Sequence, residues 1–330
     1  MKGIYPGLTL GRATRDAYGD ALRELGRKHP EIVVLDADLS KSTKSAAFGD
    51  EFPRRFFNVG IQEANLVGMA GGLASSGKVP FISSFAAFVI LKGFDQLRMA
   101  VAYPHLNVKV IGSHGGISIG EDGASQQSIE DVALACSLPG FVVCVPSDEH
   151  QMSAVVKAAF AHNGPVYIRS GRPKAPLIYE REPQDFVFGR AATVREGMDV
   201  TVIANGLMVG AAVVAHEQLR HEGIHVRVID MATVKPLDEE AVIKAAVETG
   251  GIVTAEEHLL HGGLGARVAQ VVAERHPVPM EFVGLADGYA ESGDPEALMR
   301  KYGLTSEQVV LAVRRLLGRR GSNGKSPNRS

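Results

Sequence analysis

Apolar runs of strand length alternate with amphipathic helical patterns from one end of the chain to the other, and few architectures accept that alternation. A strand that is apolar throughout must be covered on both faces, which parallel sheets flanked by helices provide. "RDAYGDALRELGRKHP" reads as a helix that Pro30 stops, and "IVVLDAD" follows as a buried strand. "PFISSF", "NVKVIGSH", "FVVCVPSD" and "PVYIRSG" repeat the pattern to about residue 180. "GRPKAPLIYEREPQDFVFG" is rich in proline and charge and lacks helical periodicity, as a connection would be. A second series follows, with strands "DVTVIANG", "HVRVIDMA", "GGIVTAEE" and "MEFVGLAD" and helices such as "DEEAVIKAAVETG" and "GARVAQVVAERHP". A chain of 330 residues that is 45% hydrophobic has material for two cores. The expected division is residues 1–180, a linker at 181–190, and residues 191–318. The end, "RRGSNGKSPNRS", has no core-forming residues, so residues 319–330 are expected to be a disordered tail.

Charge and cysteine content narrow the function classes. A formal net charge of −2, with acids and bases interspersed over the 22% of residues that are charged, gives no face suited to nucleic acid or an anionic membrane. Two cysteines, Cys136 and Cys144, make neither a disulfide framework nor a metal pair with close spacing. The N-terminal "MKGIYPGLTLGRATRD" lacks the apolar core of a signal peptide, and no apolar run approaches membrane-spanning length. The expectation is a soluble cytoplasmic protein with small, near-neutral partners.

Four clusters fall at strand ends or helix starts of the first half, where open α/β sheets bind ligands. "DADLSKSTKS" offers Asp38 and several hydroxyls, although a loop that only turns the chain would look the same. In "FFNVGIQEANLVGMAGGLASSGK" one carboxylate, Glu63, stands among small and apolar residues. A helix dipole favours an acid at a helix start by about 0.3–1 kcal/mol, which alone accounts for it. A buried helix would instead desolvate Glu63, and a desolvated acid shares a proton readily with a basic nitrogen. The segment by itself leaves both readings open. In "SSFAAFVILKGFDQLR", Phe85 and Phe88 are spaced to share a helix face, either as core or as a surface for a flat heterocycle. "GSHGGISIGEDGASQQSIED" combines glycines with His114, Glu121, Asp122, Gln126 and Gln127; His, Asp and Gln are groups that hold sugar hydroxyls, although a generic polar surface loop would look similar. Arg169 and Arg172 follow in "GPVYIRSGRPK", suited to a phosphate or carboxylate or to an interdomain ion pair. In the second half, "EEHLLHGG" matches no zinc spacing, and its acids and histidines are expected to be solvated or at an interface.

What the chain lacks is equally informative. There is no GxGxxG after the first strand and no Walker sequence, and neither "GEDG" nor "LADG" is followed by a suitable magnesium-ligating Asn. The chain carries part of a site.

These segments, in this order and spacing, resemble the C-terminal half of transketolase, the thiamine diphosphate enzyme that moves two-carbon ketol units between sugar phosphates. "VGIQEANLVGMAGGLA", "SSFAAF", "GSHGGISIGEDG" and "GPVYIRSGR" carry the likeness, which runs from about Arg12 to near Leu317. It implies two consecutive α/β/α domains with mainly parallel sheets, a pyrimidine-binding domain followed by a transketolase C-terminal domain. It further implies one subunit of a split transketolase, α2β2 with an N-terminal subunit that binds the cofactor's diphosphate through Mg²⁺.

By the same resemblance, Glu63 matches the glutamate that hydrogen-bonds the aminopyrimidine and drives the imino tautomer that removes the thiazolium proton. Phe88 matches the aromatic that stacks on the pyrimidine, Phe85 lines the pocket, and Asp38 is its acidic position. His114 and Asp122 match ligands of substrate hydroxyls. Arg12, Ser42 and Arg172 match positions that hold the sugar phosphate, the register at Arg12 being open by a residue or two. Gln126 stands where the family usually has a histidine at the donor's reacting end; it can exchange hydrogen bonds but cannot take a proton near neutral pH. Leu91 stands where a pocket tyrosine is expected. Neighbouring readings are the beta subunit of a two-oxo-acid dehydrogenase, a deoxyxylulose-phosphate synthase fragment, or a non-catalytic assembly module of the same fold.

Overall fold

The computed structural model describes residues 1–323. Among the described residues fourteen strands form. In the first half they are β1 (Leu10–Ala13), β2 (Ile32–Asp36), β3 (Phe56–Asn58), β4 (Val79–Phe85), β5 (Lys109–Ser113), β6 (Val142–Cys144), β7 (Val166–Arg169) and β8 (Lys174–Pro176). The second half contributes β9 (Ala192–Arg195), β10 (Val200–Ala204), β11 (Val226–Asp230), β12 (Thr233–Lys235), β13 (Ile252–Leu259) and β14 (Met280–Leu285). A seven-stranded sheet runs β12-β6-β7-β5-β4-β2-β3, and a five-stranded sheet runs β14-β13-β10-β11-β9. All pairings are parallel except at β12 and β9, which lie antiparallel on the edges, and in the small β1-β8 ladder. The expected fold class, two α/β domains with mainly parallel sheets, is what the chain adopts.

The reason lies in the strand sequences. β2, β5 and β10 are buried at every position, as strands covered on both faces must be. Successive residues serve opposite faces: Val33 and Leu35 join one apolar cluster with Ile82 and Val110, while Ile32 and Val34 join another with Phe81 and Ile111. The helix before β2 runs Thr14–Lys28, and His29 closes it by donating to the Leu25 carbonyl, one residue short of Pro30. Asp148, Asp238 and Asp294 each cap a helix by accepting from the backbone N–H three residues on.

The two domains are interlocked. β12 leaves the second domain to pair with β6, and Lys235 there donates to the carbonyls of Cys136 and Leu138 at 2.9 and 2.5 Å. Arg169, at the end of β7, is buried and donates to the Glu257 carbonyl (2.7 Å) and the Ser128 carbonyl (2.5 Å). It also pairs with Asp131 at 3.1 Å, whose other oxygen accepts the Tyr167 hydroxyl at 2.6 Å. The ion pair of Arg169 thus lies within the first domain, and its contact with the second is the hydrogen bond to the Glu257 carbonyl rather than an interdomain ion pair. The "EEHLLHGG" residues do related work. Glu256 accepts from Leu264 and Gly265 at the start of the helix Leu264–Arg275, Glu257 accepts from the Ser118 N–H, and the His258 Nε2 accepts from the Ala133 N–H. Cys144 is buried and Cys136 half-buried, and burial pushes both thiols up, Cys136 to about 11. The last helix, Ser306–Asn323, includes the first residues of the expected tail; residues 324–330 of that tail lie outside the described residues. Among the described residues no helix is long and apolar enough to cross a membrane.

Removing one partner of a buried ion pair leaves the other charge uncompensated. Arg169→Ala is therefore expected to lower unfolding free energy by about 3–5 kcal/mol in a denaturant titration. A loss below about 1 kcal/mol would show that the arginine is not the interdomain tie.

Candidate active site

The carboxyl ends of β2, β4, β5 and β7 lie side by side, so the segments that follow them meet in space. At the end of β2, buried Asp36 shapes the loop. It accepts from the Leu39 N–H (2.6 Å) and from the hydroxyls of Thr43 (2.7 Å) and Ser45 (2.8 Å). Burial raises its carboxyl and these hydrogen bonds oppose the rise. Asp38, two residues on, is exposed, with a left-handed φ of 64°, and exchanges two hydrogen bonds with the Asn58 amide. Ser42 lies in the short helix Ser40–Thr43, and its carbonyl accepts from Arg15 at 3.1 Å.

Arg15 is the residue that links the loop to the end of β5. Its guanidinium stands 2.9 Å from the His114 Nε2, while the His114 Nδ1 lies 2.7 Å from the Ser113 hydroxyl. A guanidinium only donates, so Nε2 accepts and the imidazole proton sits on Nδ1, facing Ser113. Burial lowers the His114 pKa to about 3, assisted by the positive charges of Arg15, Arg172 and Lys44. His114 is thus a neutral acceptor at the edge of a cationic lip. Arg172 reaches the same region, donating to the Ile119 carbonyl and to Glu121 at 2.9 Å. Arg12 stands elsewhere: it pairs with Asp20 at 2.8 Å, and its backbone N–H donates to Glu149.

From His114 a run of rings leads to the acid. Phe85, the last residue of β4, stacks on His114 with centroids 4.0 Å apart, and on Phe88 at 5.6 Å. Phe88 lies in the first turn of the helix Ala86–Gln96, and the Lys92 ammonium sits 4.2 Å from its ring centroid. The same ammonium is 3.8 Å from Oε2 of Glu63. Glu63 opens the helix Glu63–Ser75, is 2% exposed, and accepts from the Ser84 hydroxyl at Oε1, 3.0 Å away. It is therefore both things the sequence left open, a helix-start charge and a buried acid. Helix Glu63–Ser75 can lie this close because Gly93 faces it: a Cβ there would stand 3.0 Å from Val67 Cγ2 and 3.5 Å from the Glu63 carbonyl.

The glycine-rich loop after His114 is pinned by the second domain. Gly116 has φ 84°, and a Cβ on it would stand 2.1 Å from the Glu257 carboxylate, so only glycine fits. Gln127 donates to the Glu291 carbonyl at 2.9 Å, and Ser292 to that of Glu121. Asp122 is exposed on this loop, and Gln126 accepts from the Ser125 hydroxyl. Leu91, half-exposed, lines a depression with Ala124, Ser125 and Tyr289 between this loop and the helix Ala86–Gln96.

Among the site neighbours that escaped sequence reading are Arg15, Ser84 and Lys92. Arg15 had a signal. A cation in the first turn of a helix opposes the helix dipole, so its presence there calls for a partner outside the helix. Ser84 and Lys92 had none, since both lie in patterns that read as plain strand and helix. Among the described residues no group of His, Cys, Asp or Glu could hold a metal ion.

Comparison with known proteins agrees with this geometry. Residues 11–176 match the family described as transketolase, pyrimidine binding domain, and residues 189–309 match transketolase, C-terminal domain. The putative transketolase C-terminal section of Methanocaldococcus jannaschii is 42% identical over 95% of this chain and 97% of its own length. The 6-deoxy-6-sulfo-D-fructose transketolase subunit SqwH of a Clostridium species is 42% identical over 93% of this chain and 95% of its own length. A solved structure described as a split gene transketolase, inactive beta4 tetramer, superposes with a TM-score of 0.88 at 49% identity, over 93% of this chain and 99% of that one. The chain belongs to the transketolase family and comprises that family's pyrimidine-binding and C-terminal domains.

Proposed function

We propose that this chain is the pyrimidine-binding subunit of a two-component transketolase, transferring a two-carbon ketol unit between sugar phosphates. The family implies thiamine diphosphate. When bound, that cofactor supplies a carbanion-forming thiazolium, which does the carbon chemistry. The observation that carries the reading is Glu63: one oxygen accepts from Ser84, and the other lies 3.8 Å from the Lys92 ammonium, which also sits over the Phe88 ring. A buried carboxylate so placed fits a ring nitrogen that must gain and lose a proton. Phe88 would stack on the pyrimidine, Phe85 would back it, and Asp38 would border the same pocket. The residues present fit the aminopyrimidine end of the cofactor.

The substrate roles follow from the charge distribution. Arg15, Ser42 and Arg172 would hold the sugar phosphate, Arg15 taking the part expected of Arg12, which is engaged with Asp20. His114, neutral and held at Nδ1 by Ser113, would accept from a sugar hydroxyl at Nε2 in place of Arg15, without transferring a proton. Asp122 and Gln126 would meet the donor from the glycine-rich loop, Gln126 by hydrogen bonds alone.

A partner completes the site. The diphosphate and its Mg²⁺ would be held by an N-terminal subunit in an α2β2 assembly, and relatives named as subunits support this. The isolated chain would be inactive, as the tetramer of the split-gene relative is described.

Three outcomes are expected. With a diphosphate-binding partner, Glu63→Gln should lower ketol transfer by at least about a hundredfold while the unfolding midpoint is kept; retained turnover would return Glu63 to a helix-start charge, and a preference for pyruvate over sugar-phosphate donors would favour a different thiamine enzyme. Arg15→Ala should raise KM for a phosphorylated sugar about tenfold or more, and Arg12→Ala should not; the reverse pattern would restore Arg12. Because the folded pKa of His114 lies near 3, below its ordinary value, the unfolded chain takes up this proton first as pH falls. Stability should therefore be full above about pH 6.5 and fall by up to about 1.4 kcal/mol per unit below it. His114→Asn should flatten that slope in urea titrations between pH 6.5 and 4, and an unchanged slope would contradict a neutral His114.

A further inference from the structure

The two oxygens of Glu63 have unlike surroundings. Oε1 accepts from Ser84 at 3.0 Å, whereas Lys92 stands 3.8 Å from Oε2, too far for a hydrogen bond. The same ammonium lies 4.2 Å from the Phe88 ring centroid, within cation–π range. Lys92 is one helical turn beyond Phe88, and its side chain is 52% exposed. It makes the two contacts that a flat, protonatable nitrogen heterocycle would need: positive charge against Oε2, and cover for the Phe88 ring.

We propose that Lys92 is a placeholder for the pyrimidine ring. In the free chain its ammonium supplies the countercharge to buried Glu63 and covers Phe88; when the ring enters, the ammonium leaves for solvent. This rests on the reading of Glu63 and Phe88 as the pyrimidine site. The chemistry of the side chain suits the role. A buried carboxylate without a positive neighbour is costly, so an apolar residue would leave the empty pocket strained. A lysine's flexible stem lets its head swing into water while the helix stays in place.

Magnitudes set how strongly the placeholder competes. A long ion pair with a half-exposed partner contributes little, and an exposed cation–π contact is also weak. Displacement should therefore cost about two- to tenfold in affinity rather than close the site. Removing the charge also leaves Glu63 more receptive to a protonated ring, which acts in the same direction.

Thiamine titrated into the isolated full-length chain, followed by ligand-detected NMR, tests this with Lys92→Met, Lys92→Arg and Glu63→Gln beside the wild type. Lys92→Gln is the second charge-removing variant should Lys92→Met fail to fold. Lys92→Met is expected to bind about two- to tenfold more tightly than wild type, and Lys92→Arg to stay near it. Glu63→Gln is expected to bind at least about tenfold more weakly. Equal or weaker binding by both charge-removing variants, with Glu63→Gln still weakened, overturns the placeholder and leaves the pocket reading intact. Binding that ignores Glu63→Gln, or no binding by wild type and Lys92 variants alike, overturns the pocket reading and the placeholder with it.

Discussion

A parallel sheet covered on both faces can carry polar chemistry only where its strands end, and the arrangement of this molecule follows from that constraint. β2, β4, β5 and β7 are buried almost throughout and carry Asp36, Ser84, Ser113 and Arg169 at or next to their carboxyl ends. Because the strands are neighbours, these ends bring together segments far apart in sequence. Arg15 and His114, separated by 99 positions, become hydrogen-bond partners. The paired sheets also fix how rigid the cluster can be, since Arg169 and β12 bind the first domain to the second.

Within the cluster, charge is sorted by position. The lip formed by Arg15, Lys44 and Arg172 is cationic, and it adds to the burial that keeps His114 neutral. At the other end a single buried carboxylate faces one half-exposed lysine. The rings of His114, Phe85 and Phe88 lie between, linking the two ends through stacked contacts. A ligand with a phosphate at one end and a flat basic ring at the other would find complementary charge at each, although these are the ends of two molecules in the reaction proposed.

The long elements were legible in sequence because burial on both faces leaves an uninterrupted apolar run. β2, β4, β5 and β10 could be read directly. β1, β3, β8, β9 and β12 have only three or four residues each and were not read as strands, whereas the equally short β6 and β7 lie in the apolar runs "FVVCV" and "PVYI". The crossing of β12 into the other domain's sheet is a long-range pairing with no local signal. Glu63 stood out as an acid among small residues, but whether it was buried depended on Gly93 and Ser84, which only folding brings to it. For the phosphate-binding arginine the resemblance pointed to Arg12, with the register open by a residue or two; the side chain that reaches Ser42 and His114 is that of Arg15, three residues on.

The proposed division of labour puts proton management on this chain and diphosphate binding on its partner. The most direct measurement is the rate at which the thiazolium C2 proton of thiamine diphosphate exchanges with deuterium in the assembled complex. Wild-type chain is predicted to speed that exchange by at least about a hundredfold over the partner with cofactor alone, and Glu63→Gln to remove the acceleration. Equal exchange rates with Glu63 and with Gln at that position would contradict Glu63 as the acid that activates the cofactor.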